Sequence, residues 1–350
     1  MMRTRSRSVA ARLNRVLLGV VVAGSLAGSG LLVGSTVGVF APPAGASQRS
    51  SCSQSAVAAP VTLDLKMAKT PEGKVPTIAV CIDAKGPYRF LVSTGVGTSV
   101  IAPHLAHALH LRDGARTTVR GATCVASAPT APVANWSMSG LKLDGQALVV
   151  SKIAWGGRSP TPQGIIGSDV LARLGAVRIG YHPARLEVLG RESAAPKGNS
   201  YVIGKAGGTP PAALTPGRIA LSAPLRVFES PQGTIVAVPV KFAGHTAQLA
   251  VDTGSAASWL TPSAVKSLKL KGEGRKAGIV GVGCKGKGQT YASGAWALGR
   301  TTLGKATLAS HQIAGVVNGG LQGALGANVL ASRGSVIIDY SDAHLWLTSG

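Results

Sequence analysis

The chain has 350 residues, 45% of them hydrophobic, with 47 glycines, 4% aromatics and a formal net charge of +23. It is long enough for one large or two medium domains. It can bury a core, and the glycine content favours short strands and turns over long helices. The basic residues are spread along the chain with few interleaved aromatics, which argues against a nucleic-acid binder.

The first 46 residues read as an export segment. Arg3, Arg5, Arg7, Arg12 and Arg15 form a basic start, and Val16 to Phe40 carries no charge. Ala44-Gly45-Ala46 has the small residues of a cleavage site. The uncharged run is also long enough for a retained membrane anchor, so cleavage and anchoring both stay open. Either way the bulk of the chain is expected outside the cytoplasm, secreted or associated with the envelope. Removing residues 1–46 takes away five arginines and no acid, which lowers the net charge from +23 to +18. Such a surface suits an anionic cell envelope or, equally, simple solvation.

Short apolar runs follow, at Thr77-Ile78-Ala79-Val80 and Ile235-Val236-Ala237-Val238, β-branched and strand-like. A second strand in each region ends at a similar turn, Phe90-Leu91-Val92-Ser93-Thr94-Gly95 or Leu249-Ala250-Val251-Asp252-Thr253-Gly254. The two turns are 159 residues apart, and that offset persists. It relates Ser99 to Ser258, Pro103 to Pro262, Gly167 to Gly326, Leu171 to Leu330, Gly175 to Gly334 and Tyr181 to Tyr340. The chain therefore holds two related lobes. They are placed at 47–190 and 225–350, joined by a Gly/Pro-rich linker at 191–224.

In each lobe a short helix should start at a proline, Pro103 or Pro262, the latter after the N-cap Thr261. Glycine-rich hairpin turns follow around Gly121 and around Gly281 to Gly283. Next come the apolar pairs Ile165-Ile166-Gly167 and Ala324-Leu325-Gly326. A further short helix ends at Gly175 or Gly334, and the lobes close with strands Val177 to Tyr181 and Val336 to Tyr340.

Asp252-Thr253-Gly254-Ser255, after apolar residues and 74 residues before an apolar-apolar-glycine turn, resembles the aspartic proteases. The unit length and the endings Ile165-Ile166-Gly167-Ser168-Asp169 and Ile338-Asp339-Tyr340 are similar to bacterial retropepsin-like proteins. The tandem arrangement, and Trp259 seven residues after Asp252, resemble pepsin. The resemblance implies a mainly β, two-lobed acid-protease fold of the pepsin/retropepsin type, with β-barrel lobes and short helices. It further implies a monomer acting as an intramolecular pseudo-dimer, a peptide or protein substrate or ligand, and no cofactor or metal.

Peptide hydrolysis in this family needs two carboxylates that share a proton across the lobe interface. One acts as base on a water and the other polarises the scissile carbonyl. Here Asp252 holds the second position and Ser93 the first. A serine hydroxyl is not acidic enough to serve as the protonated partner. Losing one member of such a pair costs about 10²–10⁴ in rate. The resemblance also implies that Thr94 and Thr253 fix the two loops across the interface, with Gly95, Gly254 and Ser255 completing them. Asp169 and Asp339 fall where the family places structural acids.

The glycine-rich turns match the family's flaps and carry cysteines: Gly121 to Cys124 in lobe one, Gly281, Gly283 and Cys284 in lobe two. With Cys52 and Cys81 that makes four cysteines in an exported chain, which allows three pairings. The flap resemblance suggests Cys124–Cys284 across the cleft, leaving Cys52–Cys81 to tie down the N-terminal end; buried thiols are the alternative. His104, His107 and His110 recur along the first helix and read as an exposed face. Asn135-Trp136-Ser137 matches a glycosylation acceptor. Three functions compete: a weak endopeptidase working through Asp252, a pseudoprotease that holds extended peptides without cutting them, and a structural envelope protein.

Overall fold

The computed structural model describes residues 52–53, 59–120, 125–156, 160–190, 201–204, 219–230, 233–280, 282, 285–311 and 320–349. The export segment 1–46, and with it the choice between cleavage and anchoring, lies outside them. Among the described residues no helix is long and apolar enough to cross a membrane.

The architecture is mainly β with short helices, as expected. Each lobe is built on a hairpin whose second strand leads to the Ser/Asp-Thr-Gly turn. In lobe one, Gly73–Ile82 pairs antiparallel with Lys85–Val92. In lobe two, Gly233–Phe242 pairs with His245–Val251. These strands are rich in Val, Ile and Leu because both faces are covered; Val80, Phe90, Val92, Val238 and Val251 are fully buried.

The hairpin strand then takes a parallel neighbour from far along the chain. Lys85–Val92 pairs with Gly164–Ile166, and His245–Val251 with Leu321–Leu325. Each distal strand also pairs antiparallel with the short strand after the turn, Val100–Ile101 or Trp259–Leu260. The Ser/Asp loop is thereby wedged between two passes of its own lobe.

Helices start at the two prolines, Pro103–Ala108 and Pro262–Ser267. Thr261 caps the second, accepting the Ala264 N–H at 3.1 Å on its hydroxyl. Ala102 cannot do this for the first. Gly175 and Gly334 end the later helical turns at φ of 78° and 98°, in the left-handed region where a side chain is strained.

The closing strands of the two lobes, Ala176–Tyr181 and Ser335–Asp339, pair antiparallel at the centre of a shared six-stranded sheet. Val177 faces Ile338 and Ile179 faces Val336. Residues 159 apart exchange partners, so this pairing is isologous, like that of a symmetric dimer. Within 191–224, the described residues include the strand Ile219–Pro224, at the edge of that sheet, and Tyr201–Ile203, paired with lobe two.

The repeat extends to a pair of buried tryptophans outside the motif loops. Trp136 and Trp296 are both buried, and each indole N–H donates to a backbone carbonyl eight residues on, Asp144 O at 2.8 Å and Gly304 O at 2.7 Å. Their offset is 160, not 159, because the flap segment of lobe two is one residue longer.

Candidate active site

Ser93 and Asp252 meet at the centre of the interface. The Ser93 hydroxyl donates to Asp252 Oδ1 at 2.8 Å. The same oxygen accepts the Gly254 N–H at 2.9 Å. Ser93 is 1% exposed, and Asp252 is partly buried beside it. Burial raises the Asp252 carboxyl above its ordinary value of 3.8; the Ser93 hydroxyl and the N–H groups of Gly254, Ser255 and Gly95 oppose that rise.

The loops are locked from both sides. Thr94 Oγ1 donates to Val251 O at 2.6 Å and accepts the Thr253 N–H at 3.2 Å. Reciprocally, Thr253 Oγ1 donates to Val92 O at 3.0 Å and accepts the Thr94 N–H at 3.3 Å. Both threonines are fully buried, so these bonds are shielded from water. Glycine is required on each loop by close approach. A Cβ at Gly95 would lie 2.3 Å from Asp252 Cγ, and one at Gly254 would lie 2.5 Å from Ser93 Oγ.

The apolar-glycine turns support these loops from below. Ser93 N donates to Ile166 O and Asp252 N to Leu325 O, both at 3.0 Å. Ser99 Oγ accepts the Gly167 N–H and donates to Asp169 Oδ1 at 2.6 Å. In lobe two, Ser258 Oγ accepts from Gly326 N and donates to Asn328 Oδ1 at 2.8 Å. An amide does in one lobe what the Asp169 carboxylate does in the other. Asp169 also receives Val170 N and Gln146 Nε2, and burial raises its carboxyl. Asp339 accepts two N–H groups of its hairpin turn, from Ser341 and Asp342. Both acids are engaged away from the Ser93–Asp252 pair.

The lobes differ at one buried hydroxyl. Ser168 Oγ donates to Thr94 O at 3.0 Å and lies 2.9 Å from Tyr340 Oη. Its counterpart is Ala327, and the counterpart of Tyr340, Tyr181, is 2% exposed with a hydroxyl that has no partner among the described residues. A cavity of about 300 Å³ lies there, walled by Tyr181, Ala256, Ala327 and Asn328 among others.

Of the predicted flap residues, Gly121, Cys124, Gly281, Gly283 and Cys284 lie outside the described residues, and the Cys124–Cys284 pairing with them. The hairpin strands are described: Arg116–Arg120 with Val125–Val133, and Gly272–Val280 with Lys285–Ala292. Val282, between the latter two, forms an antiparallel bridge with Ile153 of lobe one and belongs to the same buried apolar cluster as Leu91, Val100 and Ile165. Sequence gave no sign of that contact. Trp259 packs against His311, ring centroids 4.8 Å apart and planes tilted by 45°. Cys52 and Cys81 form a disulfide. His104, His107 and His110 are exposed, and among the described residues no group of three or more His, Cys, Asp or Glu is placed to hold a metal.

The model of a family described as aspartyl protease matches the chain twice, over residues 78–170 and 238–329, together more than half of it. The chain belongs to the aspartyl protease family. The two matches coincide with the two lobes and place both Ser93 and Asp252 inside family sequence. No curated protein sequence matches the chain. Among solved structures, an aspartic proteinase from Irpex lacteus aligns over 83% of this chain and 97% of its own, at 12% identity and a TM-score of 0.41. Membership of this aspartyl protease family therefore rests on the two sequence matches, and the two-lobed β architecture agrees with it.

Proposed function

We propose that this protein is an exported aspartyl protease homologue that binds extended peptides between its lobes and cleaves them slowly, with Asp252 as the sole general base. The observation that carries this reading is the Ser93–Asp252 contact at the locked interface. A carboxylate held by a hydroxyl and a backbone N–H is fixed in place, and its raised pKa strengthens it as a base. The serine directs its only proton to Asp252. It leaves the substrate carbonyl without the proton donor that a second carboxylic acid supplies, and a rate deficit of about 10²–10⁴ follows.

That same proton favours a second reading, a pseudoprotease whose cleft holds peptides without cutting them. One experiment separates the two: cleavage of peptide substrates from about pH 3 to 7, comparing the wild type with Asp252→Ala. Turnover that disappears in the variant supports the enzyme. Peptide binding without turnover in either protein rejects the enzyme and leaves the binding module.

A further inference from the structure

The positive charge of this chain is not uniform. The stretch 266–287, from the end of the second proline-started helix through the lobe-two flap hairpin, holds seven cationic residues against one acidic residue, Glu273. Its counterpart in lobe one, 107–128, holds three cationic residues against one acidic residue. The repeat conserves the fold of this segment and not its charge, so the excess is specific to lobe two.

The strand register sorts the hairpin by face. Lys276 stands opposite Gln289 and Gly278 opposite Lys287. These rungs are two residues apart, so Lys276 and Lys287 project from the same face, about 7 Å apart along the hairpin. On that face Lys276, Gly278, Lys287 and Gln289 are all exposed. On the opposite face Ala277, Gly286 and Gly288 are half-buried, turned toward the body of the protein. Lys266, Lys269 and Lys271, on the helix end and the turn before the hairpin, are exposed as well. Glu273 is bound to Arg275 at 2.9 Å. It neutralises that arginine and leaves the lysines unpaired among the described residues.

We infer that the outer face of the lobe-two flap hairpin is a docking surface for an anionic lipid bilayer. The cations are distributed over a helix end, a turn and both hairpin strands, which suits an extended plane of negative charge. A discrete acidic peptide would instead call for converging donors. Mobile lysines attract such a surface additively and through long-range charge, without a fixed pocket. Val282, which follows the first strand of this hairpin, rests on Ile153, so docking here would hold the cleft beside the lipid surface.

The test is binding of the full chain to phosphatidylglycerol-containing vesicles, with pure phosphatidylcholine vesicles as reference. Three proteins are compared: wild type, the triple variant Lys271→Glu/Lys276→Glu/Lys287→Glu, and a charge-matched control, Lys66→Glu/Lys69→Glu/Lys85→Glu, altered at exposed lobe-one sites. The flap variant should lose roughly tenfold or more of its preference for anionic vesicles, and the control far less. Equal losses would make the effect one of net charge and overturn the assignment, as would equal binding to both lipids by the wild type. Lysine acetylation read by mass spectrometry gives a second measure, independent of any N-terminal anchoring. Anionic vesicles should protect Lys276 and Lys287 and leave Lys66 and Lys69 reactive. Protection by polyglutamate but not by vesicles would reject the lipid surface in favour of an acidic polypeptide.

Discussion

The Ser93 hydroxyl donates to Asp252 Oδ1 at 2.8 Å across the interface of the two lobes. A carboxylate pair there would share one proton and titrate as a unit. A serine–aspartate pair has a single titrating member, and its consequences differ in pH dependence as well as in rate.

Wild-type cleavage should therefore rise along one limb as pH increases through the raised pKa of Asp252. No descending limb from a partner carboxylic acid is expected. Ser93→Asp should add that limb, giving a bell-shaped profile, and should raise the rate by about 10²–10⁴. Initial rates against pH for the two proteins check this. A bell-shaped wild-type profile would show that another acid serves the site.

Asp252 also bears on stability. Its folded pKa lies above the unfolded value of 3.8, so both states hold the proton well below pH 3.8. The stability linked to that proton is fully present there and is lost as pH rises through the folded pKa. Asp252→Asn should consequently raise the unfolding free energy at neutral pH, by about 1.4 kcal/mol for each unit of pKa shift, and Tm with it. The advantage should vanish below about pH 3.8, near the ordinary aspartate pKa. Calorimetry at the two extremes measures it.

Ala327 leaves the buried Tyr181 hydroxyl without the partner that Ser168 gives Tyr340. Ala327→Ser should restore the bond and stabilise the protein by about 0.5–1.5 kcal/mol. Ser168→Ala should cost about 1–3 kcal/mol by orphaning the Tyr340 hydroxyl. Denaturant unfolding of both variants would show opposite signs.

His344, 1% exposed, lies 2.6 Å through Nε2 from Ser222 Oγ. Burial lowers its pKa below the ordinary 6.5, although Asp339 and Asp342 draw it upward. A depressed histidine contributes stability above its unfolded pKa and loses it as pH falls through the folded pKa. The contribution of His344 to Tm should fall on acidification below about pH 6.5, so the wild type should lose Tm relative to His344→Gln as the pH drops through that range.

Much of the fold and of the site was legible in the residues. A common offset from Ser93–Asp252 to Tyr181–Tyr340 can be read without coordinates, because a duplicated lobe keeps its turns and glycines in register. Thr261-Pro262 and the glycines at 175 and 334 mark helix ends through local backbone chemistry alone. That Ser93 stands where the repeat has Asp252 could be read from the same offset.

Tertiary structure decided how the Ser93 and Asp252 loops meet. The direction of the Ser93 proton, the reciprocal threonine bonds, the Val282–Ile153 bridge and the unpartnered Tyr181 hydroxyl all depend on groups from distant parts of the chain. The charge of the flap hairpin needed the structure too. Composition shows how many lysines there are, and only the strand register and burial show which of them share an exposed face. Sequence fixes local conformation and repeats through short-range sterics, whereas hydrogen bonds between residues some 159 positions apart exist only once the two lobes have closed on each other.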